Sequence, residues 1–188
     1  MKSITAVWAV MLFISNFVAA APINLSQTKS KVEFLAVGQP AALKIRGKLS
    51  ENSPVTGNLE IAKDSLKGDV KLALDNFDTG IELRNKHMKE TYLETAKYPD
   101  AKLTLKSVPL TGDATQPNFQ YAGPFEGVLT LHGVDKPVTG TLNLVNADSK
   151  WKGDFKFDFV LEDFGIAVPK YLGITVSKKV SVEANFQQ

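Results

Sequence analysis

The feature that most constrains this chain is a two-residue alternation that returns in nearly every segment after residue 30. It is plainest where Trp151, Phe155, Phe157 and Phe159 are set against Lys152, Asp154, Lys156 and Asp158. Successive side chains of an extended strand point to opposite faces, so this stretch buries one face and wets the other, which a helix cannot do at that period. The same pattern marks Val32 to Ala36, Leu43 to Leu49, Leu59 to Ile61, Val70 to Leu74, Leu103 to Leu105, Phe125 to Leu131, Leu142 to Leu144 and Val180 to Phe186. Turn residues separate the segments. Gly38-Gln39-Pro40 ends one, and Gly133 to Pro137 predicts the turn of a hairpin joining Val128–His132 to Val138–Val145. Asp113 to Pro124 reads as a loop.

One interruption breaks the pattern. Between Ile81 and Ala96, Met88, Tyr92 and Ala96 fall at helical spacing among Lys86, Lys89, Glu90 and Glu94, and Tyr98-Pro99 pushes the chain back to extended geometry. The predicted fold is all-β: one antiparallel up-and-down β-barrel of about eight strands, or a sandwich, carrying a short helical insertion at about 81–96. A barrel of that size either fills its lumen with side chains or holds one small ligand. The inward positions are apolar, so Phe34, Leu43, Ile45, Leu72, Leu74, Leu103, Leu105, Leu129, Leu131, Leu142, Leu144, Phe155, Phe157 and Phe159 are candidates for a wall around an apolar chain. Arg84, Lys86, His87 and Lys89 form a basic cluster in the insertion. They are candidates to meet a head group at the barrel mouth, or else an ordinary solvated helix face.

The chain offers little to catalysis. Its two histidines, His87 and His132, stand in neither an H-E-x-x-H motif nor any paired spacing, and no serine lies in a G-x-S-x-G elbow. The reading is therefore no metal, no catalytic residue and no cofactor. A formal net charge of +2 without a basic block excludes a nucleic-acid partner as the working expectation.

The start of the chain predicts an address. Lys2, the uncharged run Ile4 to Val18 and then Ala19-Ala20-Ala21 have the layout of a secretory signal peptide cleaved after Ala20 or Ala21. The run is short for a membrane span and no second one follows, so a mature domain of residues 21–188 without a transmembrane segment is expected, in a bacterial periplasm or secreted. The absence of cysteine removes the lipobox and leaves the core alone to hold the domain.

Several stretches, taken in order, resemble one known family. They are Asn76-Phe77-Asp78-Thr79-Gly80, Arg84 to Met88, Lys97 to Ala101, Gly127 to Val138, Glu162 to Ile166 and Val180 to Phe186. Together they are similar to the YceI-like polyisoprenoid-binding proteins over nearly the whole mature chain. Ala36 to Val55 departs from that pattern, and Asn85 stands where many relatives carry Asp. The resemblance implies a lipocalin-like extended barrel, periplasmic or secreted, carrying an isoprenoid chain without catalysis. The partner so implied is a long-chain apolar lipid, and a homodimer is left open.

Three other readings compete. An integral outer-membrane barrel also alternates, but the chain has few Trp and Tyr for aromatic girdles and ends in Gln187-Gln188 after Phe186. An enzyme acting on a lipid in the same cavity would rest on His87 as general base. A binding module with a collapsed cavity would take a protein as its partner.

Overall fold

The computed structural model describes residues 22–39, 43–171 and 174–188, and the expected signal peptide lies outside them. The alternating segments become antiparallel strands: β1 (Ile23–Asn24), β2 (Lys29–Gln39), β3 (Leu43–Leu49), β4 (Asn58–Ile61), β5 (Ser65–Ala73), β6 (Phe77–Asp78), β7 (Asp100–Pro109), β8 (Gln120–Leu131), β9 (Val134–Ala147), β10 (Lys150–Val160), β11 (Lys170–Tyr171) and β12 (Ile174–Gln187). The insertion holds helix α1 (Glu82–His87) and a π-helical turn, Met88–Tyr92. The fold is an all-β antiparallel curled sheet with one short α-helix. Nine of its strands match the alternating segments, where about eight were expected. The two-residue strands β1, β6 and β11 are too short to show a period.

The strands pair in the order β1-β4-β5-β7-β8-β9-β10-β12-β2-β3-β6, with β11 beside β12. This path ends at β1 and β6 and does not close as a ladder. Yet β5 and β6 are one run of chain, interrupted only by a 3-10 turn at Leu74–Asn76. Because β5 pairs with β7 and β6 pairs with β3, the two halves of the curl are joined there by covalent chain. On β3 that pairing covers Lys48 and Leu49 alone.

Two tight hairpins fix the register of the long strands. His132 and Gly133, with φ of 52° and 75°, link β8 to β9, and Asp148 and Ser149, at 52° and 60°, link β9 to β10. Positive φ at both central residues is the primed turn whose twist matches that of its strands. The β8–β9 turn therefore lies ahead of the expected Gly133–Pro137, and Asp135, Lys136 and Pro137 belong to β9. Likewise β8 starts at Gln120, inside the expected loop.

In β10, Trp151, Phe155 and Phe157 are buried and Phe159 half-buried, while Lys152, Asp154, Lys156 and Asp158 are exposed. The interior they enter is divided. One end is solid, with Leu25, Leu59, Leu66, Val108, Leu142 and Leu144 fully buried. Phe125 closes it, meeting Phe155 edge-to-face at 5.3 Å and Phe157 at 6.1 Å. Gly140 lets these rings lie against the sheet: a Cβ there would stand 2.7 Å from the Phe125 ring and 2.8 Å from Phe157 Cβ. Beyond that cluster packing stops and a cavity begins.

Candidate functional site

The cavity has a volume of about 550 Å3, and its wall is almost wholly apolar. Strand parity builds it. Val32, Phe34 and Ala36 of β2 face Val180, Val182 and Ala184 of β12 across paired registers, and Phe157 and Phe159 continue from β10. Leu43 and Ile45 come from β3, Val70 and Leu72 from β5, Ala101 and Leu103 from β7, and Leu129 and Leu131 from β8. Leu74 and Phe77 line it from the join between β5 and β6. The insertion covers one side with Ile81, Leu83, Met88, Tyr92 and Leu93, and Leu161 and Ile166 cover another.

Of the fourteen wall residues expected from the sequence, Phe34, Leu43, Ile45, Leu72, Leu74, Leu103, Leu129, Leu131, Phe157 and Phe159 line this cavity. Leu105, Leu142, Leu144 and Phe155 do not. Their exposures of 1%, 0%, 0% and 3% place them in the solid end. All but Leu74, which sits in the 3-10 turn, share the inward strand parity, which cannot tell a packed neighbour from an empty one. In the basic cluster, Arg84 and His87 line the cavity, whereas Lys86 and Lys89 border a separate surface depression with Asp75, Glu82 and Glu90. The sequence reading left out Met88, Tyr92 and the β12 side chains, although helical spacing and strand alternation had marked all of them.

Arg84 is held by a short network. Its Nε donates to Thr79 Oγ1 at 2.9 Å, and its Nη2 donates to the Thr79 carbonyl. Asn85 accepts from the Thr79 N–H at 2.8 Å and from its hydroxyl at 2.7 Å, and donates to the Asp78 carboxylate at 2.7 Å. The Asn85 amide and then the Gly80 N–H, which donates at 2.8 Å, hold the Asp78 carboxyl below the usual carboxylate range. Arg84 makes no ion pair among the described residues, and no Asp or Glu lines the cavity. Lys102 and Lys170 also border it. Pairing puts them opposite Lys71 and Thr175, on the outward face, so their side chains turn away.

The far end of the insertion is tied down separately. His132 Nδ1 faces the Phe164 carbonyl at 3.1 Å and Nε2 faces the Glu94 carboxylate at 2.7 Å, with Tyr98 packed on the ring at 4.3 Å. Both partners are acceptors: a neutral ring donates to one, a protonated ring to both. The Lys170 N–H donates to the Tyr92 hydroxyl at 3.4 Å, and Thr95 Oγ1 donates to Asp75 at 2.6 Å. Among the described residues no group of His, Cys, Asp or Glu could hold a metal ion, and no helix is long and apolar enough to cross a membrane.

This geometry defines a class, the antiparallel curled β-sheet enclosing an apolar cavity under a short helical cap. A YceI-like domain matches residues 24–188, and the chain belongs to that family. A UPF0312 protein of Pseudomonas putida strain F1 is 38% identical over 108 residues, 53% of this chain and 52% of that one. Protein YceI of Escherichia coli O157:H7 is 37% identical over 89 residues, covering 46% and 42%. The chain thus spans about half the length of these curated relatives. Among solved structures, a polyisoprenoid binding domain from Saccharophagus degradans implicated in plant cell wall breakdown aligns with a TM-score of 0.66 at 18% identity, over 87% of this chain and 95% of that one. BcnA of Burkholderia cenocepacia aligns at 0.64 and 15% identity, over 85% and 96%. At such identities the likeness is one of fold.

Proposed function

We propose that this protein is exported to the periplasm and there holds a polyisoprenoid or isoprenoid-quinone chain in its cavity, for carriage or storage. The observation that carries the reading is the wall itself, apolar on each long strand that reaches it, wide enough for a ligand of ordinary pocket size and bounded at one end by packed rings. The Saccharophagus domain of the same fold, described as polyisoprenoid-binding, supports it. Each methylene removed from water contributes about 0.8 kcal/mol, so a five-carbon unit contributes up to about 4 kcal/mol before the cost of ordering it. A few units suffice, and the attraction selects girth and length over identity. Arg84, fixed by Thr79 and without an ion pair among the described residues, borders the cavity, which supports reading it as a contact for a polar head. His87 lines the same wall, which is what an enzyme acting on the lipid would need, but the breadth of the apolar wall favours holding a chain over reacting with it. The site is read as a binder.

The test is chemical. Protein purified from the periplasm, extracted with organic solvent, should release one dominant long-chain isoprenoid in near-stoichiometric amount, as measured by mass spectrometry. An extract without such a lipid overturns the proposal.

A further inference from the structure

The cavity is buried at its floor and capped by the insertion, so a long chain needs a way in. The ties of the insertion are unevenly placed. Its root is held through Asp78, Thr79, Arg84 and Asn85, and its far end through Tyr92, Glu94 and Thr95 to Lys170, His132 and Asp75. None of these bonds reaches residues 43–47 of β3, and His87 at the end of α1 has a further interaction of its own. That edge also lacks a strand partner among the described residues, because β6 leaves the sheet after Asp78 and the chain turns at Gly80, with φ of 81°, into α1. Helix α1 thus follows directly on the last β3–β6 pairing, and both it and β3 contribute side chains to the cavity wall.

The side chains flanking this seam are exposed as well as apolar. Ile81 and Leu83 on the helix side are 52% and 51% exposed, and Leu43 on the β3 side is 42%. All three also line the cavity. With Val37, the outward neighbour of Gly38 on β2, they are the large apolar side chains left exposed among the described residues. On both sides of the seam, then, apolar side chains belong at once to the solvent-facing surface and to the cavity wall. At the axial end, by contrast, Tyr92, Leu93, Leu161 and Ile166 line the cavity and hydrogen bonds lie behind them.

We propose that the seam between the free edge of β3 and helix α1 is the portal, and that an apolar chain enters and leaves sideways as α1 swings about its root. This rests on the cavity reading of the preceding subsection. The chain has no cysteine, so Leu43→Cys with Leu83→Cys supplies two unique thiols, which a bismaleimide can span and N-ethylmaleimide can merely cap. Uptake and release of a deuterated polyprenol are then followed by native mass spectrometry in both forms. The spanned protein should exchange at least about tenfold more slowly than the capped one. Equal rates overturn the portal and leave the cavity reading standing, whereas failure of the wild-type chain to take up the probe removes both. Glu94→Ala, which loosens the axial tie without touching the seam, gives a check free of cross-linking. Exchange at the wild-type rate supports the seam, and a clear acceleration overturns it.

Discussion

Lys156 and Phe157 are neighbours in sequence and opposites in consequence. Lys156 lies in solvent beside Glu183 at 3.3 Å, while Phe157 is buried with its ring edge against Phe125. Phe157→Asp buries a carboxylate without a partner and should cost about 3–5 kcal/mol, enough to unfold a domain of ordinary stability. Lys156→Asp loses an exposed pair and should stay within about 1 kcal/mol. Urea midpoints measure both, and equal midpoints would contradict the register. That parity was legible in the sequence, since a period of two needs only side chains of contrasting polarity. Gly140 was not legible, having no side chain to alternate. Gly140→Val should nevertheless be destabilising by several kcal/mol, because its Cβ would meet both Phe125 and Phe157.

At the scale of elements, the helical insertion was announced by the spacing of Met88 and Tyr92, and both line the cavity. Ala96 shares the spacing but not the helix, which the positive φ of Glu94, 45°, has already ended. What no periodicity could reveal is how the insertion is fastened, because α1 has no side-chain N-cap and relies on Asn85 binding back to residues 78 and 79. Asn85→Ala should cost about 1–3 kcal/mol and speed hydrogen exchange in residues 81–92 more than in the long strands. Uniform protection in the variant would contradict that. Asp78 adds a pH dependence of known sign. Its carboxyl is held below its ordinary range in the fold, so the stabilisation is present above that range and is lost as pH falls through the depressed value. Exchange in 81–92 should therefore accelerate in acid. Asp78→Asn, which keeps an acceptor for Asn85 but cannot ionise, should remove that part of the acid response.

For the whole molecule, the all-β class and the inward faces could be read from the chain, and the division of the interior could not. Leu129 and Leu144 have the same residue type and the same parity, yet one lines a cavity and the other is fully buried in the solid end. The difference depends on where the Phe125 cluster fills the curl and where the join of β5 to β6 holds it open, which are long-range matters. The division predicts opposite outcomes for one kind of substitution. Leu144→Trp overpacks a filled core and should cost about 1–3 kcal/mol, whereas Val182→Trp projects into empty space and should keep its melting temperature. Native mass spectrometry of the wild-type and Val182→Trp proteins, before and after organic extraction, tests the central claim most directly. The account predicts a wild-type mass that falls by that of one long apolar molecule on extraction, and a folded variant that carries little or none. A wild-type protein of one unchanging mass, or a variant that retains the full adduct, would contradict it.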